Sequence, residues 1–170
     1  GVLAPRGGLG VTTLAVNLAS GLLTRTKSDV IVAELLPGQG ALGLDLGLTA
    51  TKGLINLLSM NRIADITRDK TLEVLTPHRS GIKFLLSSDR PRDMQLINQV
   101  ANYEATLSTL ASLARFVVLD LGVGIQPFAQ KVLPSCNEIL IVLEGAPNMI
   151  AHAKALIDDI ESLNINRKQI

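Results

Sequence analysis

Three glycines in four residues, Gly7-Gly8-Leu9-Gly10, stand between a short apolar run and a stretch with helical spacing. This junction constrains the chain more than any other feature. Val2-Leu3-Ala4 ahead of it reads as a buried strand, and the residues from Val11 onward repeat apolar positions at i and i+4. Strand, glycine loop and helix in that order turn backbone N–H groups toward the helix N-terminus, where they form a cradle for a phosphate. A tight strand-to-helix turn without a ligand would use the same glycines.

The rest of the chain alternates the two periods. A helix is expected over 11–23, with Leu14, Leu18 and Leu22 as its apolar face. Val30-Ile31-Val32-Ala33 reads as a second buried strand, stopped by Pro37 and the glycines at 38 and 40. Short helices are expected over 53–58 and 69–75, the latter ending at Pro77, and a strand over 82–86. One long amphipathic helix is expected over 92–113, carrying Met94, Leu96, Ile97, Val100, Leu107, Leu110 and Leu113. Strands follow over 116–120 and 139–143, the first closing on Asp120. Pro147 opens a last helix to about residue 163, with Ile150, Ala153, Leu156, Ile157 and Ile160 as its stripe. Such alternation implies parallel strands joined by helical crossovers. The expected fold is α/β, in three layers, with a mostly parallel central sheet and helices on both faces.

At 170 residues the chain is expected to be one domain, 1–170. Its first strand is short, and residues 166–170 fall where a sixth strand would begin, so the expectation is a core trimmed at both ends. The chain is 47% hydrophobic and 18% charged, yet no apolar run approaches the roughly 20 residues of a membrane span. A parallel sheet buried on both faces accounts for the surplus. Nothing resembles a secretion signal, and the single cysteine, Cys136, fits a reducing cytoplasm and packs as a small apolar residue. Net charge is +1, from 16 basic and 15 acidic residues, which gives no case for a polyanion-binding face. One Tyr, three Phe and no Trp leave no base-stacking platform, so no nucleic-acid partner is evident. His78 and His152 have no metal-ligand spacing.

The segment Arg6-Gly7-Gly8-Leu9-Gly10-Val11-Thr12-Thr13, followed by Leu14-Ala15-Val16-Asn17-Leu18-Ala19, resembles the deviant phosphate loop of the MinD/ParA ATPase family. The likeness extends over nearly the whole chain. Glu34-Leu35-Leu36-Pro37 resembles the first switch, where the strand usually ends Asp-x-Asp. Phe116-Val117-Val118-Leu119-Asp120, with Gly122 and Gly124, resembles the Walker B strand and second switch. Within the family the segment from Thr76-Pro77-His78 to Leu86 is most similar to the pilus-assembly branch called CpaE or TadZ. The resemblance implies a P-loop NTPase-like, Rossmann-like fold, with residues 6–13 binding ATP or ADP and Thr12 and Asp120 holding Mg²⁺. Glu34 reads either as a further member of the ion's shell or as a strand-end acid. Pro37 and Gly124 would mark the switches. The resemblance also implies a homodimer across the phosphate loops and protein partners in a pilus or secretion apparatus. Location would be cytoplasmic, peripheral to the inner membrane through those partners, with a receiver-like domain ahead of the ATPase core.

Both lysines of the family's loop are replaced. Val11 stands where a Lys normally reaches the outer phosphates. Arg6 stands where a second Lys crosses the dimer; it reads as that finger or as a solvated loop arginine. Leu36 replaces the Asp expected to orient attacking water. A hydrogen bond to a charged group contributes about 1.5–3 kcal/mol, so an absent ammonium weakens ATP binding roughly 10- to 150-fold. Phosphoryl transfer needs positioning and charge together, and Leu36 supplies neither. The expectation is a nucleotide binder with poor or absent hydrolysis. Two readings from other classes compete: a scaffold or dimerisation module whose ancestral pocket is empty, and a dinucleotide-dependent oxidoreductase. The last uses Gly8-x-Gly10 with Glu34 as a ribose acid but lacks the third glycine.

Overall fold

A computed structural model describes residues 1–49 and 51–170. In chain order the elements are β1 (Val2–Ala4), α1 (Val11–Thr26), β2 (Val30–Glu34), α2 (Leu42–Asp45), α3 (Leu54–Leu58), α4 (Arg68–Val74), β3 (Thr76–Pro77), β4 (Lys83–Leu85), α5 (Val100–Leu113), β5 (Phe116–Val123), α6 (Ala129–Val132), β6 (Leu140–Ile141) and α7 (Pro147–Ser162). The strands form one sheet in the order β3-β4-β2-β5-β1-β6, parallel except for β3 against β4. This is the mostly parallel α/β sandwich that the alternation implies.

Strand faces explain why the runs are apolar throughout. Val30 and Val32 on β2 pack on one side with Val2, Phe84 and Val118; Ile31 and Ala33 pack on the other with Leu85, Leu119 and Leu121. Side chains alternate between faces along a strand, and here both faces are covered. α1 covers the first face. Leu156 and Ile160 of α7, Leu110 of α5 and Leu54 of α3 cover the second.

Several expectations need correction. α1 runs three residues further, to Thr26, and closes on Lys27 in the left-handed region, whose N–H donates to the Leu23 carbonyl. Its fully buried face is Val11, Ala15 and Ala19; of the expected leucines, Leu18 and Leu22 pack half-buried at the edge of that face, and Leu14 is 38% exposed. Small residues let the helix approach the sheet closely. Leu18 and Leu22 are left along an open groove of about 910 Å³ beside β5. The long helix over 92–113 is two elements, a 3₁₀ segment at Pro91–Asn98 and α5. They part at Gln99, whose ψ of 54° is not helical. β3 was not expected; as an edge strand it tolerates Pro77. β5 continues past Asp120 to Val123, and β6 shortens to Leu140–Ile141. In α7 Met149 belongs to the buried stripe and Ile150 is 42% exposed. Among the described residues, no helix is long and apolar enough to cross a membrane.

Candidate phosphate-binding site

The β1–α1 connection builds the first wall of the site. Gly8 (φ +81°) and Gly10 (φ +87°) lie in the left-handed region, which an L side chain rarely adopts. Gly10 is the N-cap of α1, and no side chain caps the helix. The first-turn N–H groups are thus free to meet an anion, and the helix dipole favours negative charge there. Every strand feeding this end is parallel, so the loops after β1, β2 and β5 gather at the carboxyl edge of the sheet.

The second wall comes from the ends of β2 and β5. Glu34 and Asp120 are paired in register on these neighbouring strands, and both are buried. The Thr12 hydroxyl donates to Asp120 Oδ2 at 2.5 Å, and the Gly122 N–H donates to Oδ1 at 3.1 Å. Burial pushes the Asp120 carboxyl above its usual value, partly offset by these two donors. Glu34 Oε1 accepts from the N–H of Ala41 (2.8 Å) and Leu42 (3.2 Å), and Oε2 accepts from the Ser87 N–H (3.0 Å). Its carboxyl is also raised, chiefly by burial, with the three amides pulling it down and the Asp120 charge adding to the rise. Between Val2↔Asp120 and Ala4↔Val123 the β1–β5 register slips by one residue, which bends β5 where it meets the loop.

Together these walls enclose a cavity of about 250 Å³. Residues 6–12 line one side; Glu34, Leu36, Gln39, Asp120, Gly122 and Val123 line the other. Larger cavities exist elsewhere, including one of about 590 Å³ beside α2 and α3. This one joins an uncapped helix start to two buried carboxylates whose pKa values burial raises, a combination that makes it the candidate site.

The sequence-derived residues divide on this map. Arg6, Gly7, Gly8, Leu9, Gly10, Val11, Thr12, Glu34 and Asp120 line the cavity. Thr13, Pro37 and Gly124 are not among its lining residues. Thr13 is exposed and its carbonyl accepts from Asn17 Nδ2; Pro37 is buried; the Gly124 N–H is taken by the Ala4 carbonyl at 2.9 Å. Val11 does more than lack an amine, because it packs into the core with Val2 and Ala15. Leu36 lies against Gly122, where a Cβ would sit 3.0 Å from its Cδ2. Gly122 and Val123, which the sequence placed only in the second-switch segment, are wall residues, as is Gln39, which sequence reasoning missed. It also missed Tyr103, whose hydroxyl donates to the Leu35 carbonyl at 3.0 Å, and Ser87, whose hydroxyl donates to the Leu36 carbonyl at 2.9 Å. The glycines flanking Gln39 were the available signal.

Thr12 and Asp120 offer a hydroxyl and a carboxylate, hard oxygen ligands suited to Mg²⁺, which is usually held by one or two protein groups with water and substrate phosphates. No cluster of three or more His, Cys, Asp or Glu able to hold a metal alone occurs among the described residues. The donor set therefore fits an ion shared with a phosphate ligand.

Architecture and loop define the class: an α/β fold of the P-loop NTPase type, in the form taken by ParA-family ATPases. The chain is similar to the ParA family ATPase from Chlorobium tepidum TLS, with TM-score 0.84 and 18% identity over 99% of this chain and 71% of that one. It is also similar to cobyrinic acid a,c-diamide synthase from Mycobacterium smegmatis, solved with ADP and magnesium, with TM-score 0.69 and 18% identity over 95% and 68%. A plasmid partition protein from Borrelia burgdorferi gives TM-score 0.71 and 14% identity over 96% and 74%. No protein-family model matches the chain, and no curated protein matches it in sequence.

Proposed function

We propose that this chain is a ParA/MinD-like nucleotide-binding protein of localisation or assembly, serving a pilus or secretion system as CpaE and TadZ proteins do. It binds ATP or ADP with Mg²⁺ and hydrolyses ATP weakly or not at all. The observation that carries the reading is the Thr12–Asp120 contact lying beside the uncapped start of α1. A nucleotide's phosphates would take the first-turn amides and the glycine loop as donors. Mg²⁺, when bound, would neutralise phosphate charge, with Thr12 and Asp120 as its protein ligands. Both are already oriented toward each other, so little reorganisation is needed. Glu34 serves position rather than the ion: its oxygens hold the segment from Ala41 and the loop after β4 at Ser87. Leu36 is apolar and packed on Gly122, so it orients no water, and this supports slow turnover.

Calorimetry of ATP and ADP, with and without Mg²⁺, on the wild type and Val11→Lys tests the reading. Wild type is expected to bind Mg-ATP, and the lysine variant to bind it about 10- to 150-fold more tightly. The Lys stem can follow the valine into the core edge while its ammonium reaches the cavity. Absence of binding heat in both proteins would overturn the proposal. The burial of Val11 in the core favours a second reading, a scaffold without nucleotide. That reading requires a melting temperature unmoved by ATP.

A further inference from the structure

We infer that Tyr103 is a positioning residue for the phosphate cavity: its hydroxyl holds the turn after β2, its ring holds the segment after β5, and the two walls thereby move as one body. What this does for a nucleotide rests on the nucleotide-binding reading above; the link between the walls does not. The walls come from distant parts of the chain, Leu36 and Gln39 on one and Gly122 and Val123 on the other. At the cavity they already touch, because the Leu35 N–H donates to the Asp120 carbonyl at 2.9 Å and Leu36 lies on Gly122. Tyr103 ties them a second time from within the core, where it is 1% exposed.

The two ends of this side chain go to different walls. Its hydroxyl donates to the Leu35 carbonyl at 3.0 Å, one residue before Leu36. Its ring stacks on Phe128, with centroids 4.2 Å apart and planes 13° from parallel. Burial pushes the phenol above its ordinary value, so the hydroxyl remains a donor at neutral pH. Phe128 is fully buried, and its carbonyl accepts from the N–H of Lys131 and Val132 to open α6. Gln126 Nε2 donates to the Val123 carbonyl at 2.9 Å, which ties the intervening segment back to the cavity wall. The support itself is fixed, since Asn102 beside Tyr103 on α5 donates to the carbonyls of Leu57, Leu58 and Met60. A phenylalanine would provide the stack, and a hydroxyl elsewhere could hold Leu35. Joined in one side chain, the two contacts set the spacing of the walls, and any ligand of the cavity lies between them.

The test is hydrogen exchange read by mass spectrometry on the wild type, Tyr103→Phe and Phe128→Leu, with calorimetry of Mg-ATP on the same proteins. Tyr103→Phe keeps the stack and should raise exchange about tenfold in residues 35–41 and also in residues 122–128, which the hydroxyl does not touch. Phe128→Leu keeps the hydroxyl bond and should loosen 35–41 as well as its own segment, because coupling is reciprocal. Exchange in α1 should stay at the wild-type rate in both, which separates the link from a general loss of stability. Mg-ATP affinity should fall about three- to tenfold in each variant. A variant that loosens only the wall it touches, or that loosens α1 equally, overturns the link, and either variant decides this if the other fails to fold. Failure of both to fold assigns Tyr103 to the core alone and overturns it too. Walls that loosen together with unchanged Mg-ATP affinity overturn the part of Tyr103 in positioning. A wild type that binds no nucleotide, with walls that still loosen together, overturns the nucleotide reading and leaves the link standing.

Discussion

Asp120 and Glu34 are neighbours in register, yet their donors give them different tasks. Glu34 takes three backbone amides and so acts as a tether; Asp120 takes a hydroxyl and one amide and keeps capacity for a cation. Burial raises both pKa values, so the native state holds these protons more tightly than the unfolded chain does. The resulting stabilisation is complete below the ordinary carboxylate values of 3.8 and 4.5 and is lost as pH rises through the raised native values. Asp120→Asn removes one titration. Without ligand, the wild-type stability minus that of Asp120→Asn should therefore fall as pH climbs from 4 to 8. Urea unfolding of both proteins across that range measures it, and a flat difference would refute the assignment. That Thr12 and Asp120 would face one another was legible in the sequence, because each sits in a recognisable local motif, and the structure brings the two side chains into contact. Glu34's role was not, since its donors Ala41, Leu42 and Ser87 come from two other segments.

Among the elements, α5 shows most clearly where periodicity stops being informative. Met94, Ile97 and Val100 recur every third residue, a spacing that both a 3₁₀ turn and an α-helix satisfy. At Gln99 the backbone leaves helical geometry (ψ 54°), and the Gln99 carbonyl then accepts from the N–H of Asn102 and Tyr103 to restart the helix. Likewise the leucine stripe of α1 was visible, but which stripe faces the sheet depended on how closely the helix could approach. α5 buries polar side chains that no apolar pattern reveals. Asn102 Nδ2 donates to the carbonyls of Leu57, Leu58 and Met60 at 3.0–3.1 Å and so closes the end of α3. Tyr103 stacks on Phe128 at 4.2 Å between ring centres while its hydroxyl reaches Leu35. Asn102→Ala leaves buried carbonyls without their donor and is expected to cost about 1–3 kcal/mol in urea unfolding. A loss under half of the lower figure would mean that α3 is closed by other groups.

At the scale of the molecule, the alternation of runs revealed the layers, while the strand order came only from non-local register. That order sets β1 between β5 and β6 and β5 between β1 and β2, which brings the glycine loop, Asp120 and the β2 segment to one edge. Arg6, Gly7 and Gly8 remain exposed on that edge. If a second copy docks there when nucleotide fills the cavity, Arg6 can reach across with a planar guanidinium suited to phosphate. Nucleotide between two copies then acts as a shared ligand, and its binding free energy favours the dimer by mass action. Sedimentation velocity should show Mg-ATP raising the dimer fraction and Mg-ADP leaving it lower. Arg6→Ala should keep nucleotide binding within several-fold, because the glycine loop amides remain, but should sediment as a monomer at the same ATP concentration. Unchanged sedimentation of the wild type at saturating Mg-ATP would rule out the homodimer that the family resemblance implies. An Arg6→Ala protein that dimerises as the wild type does would remove only the arginine's part in it.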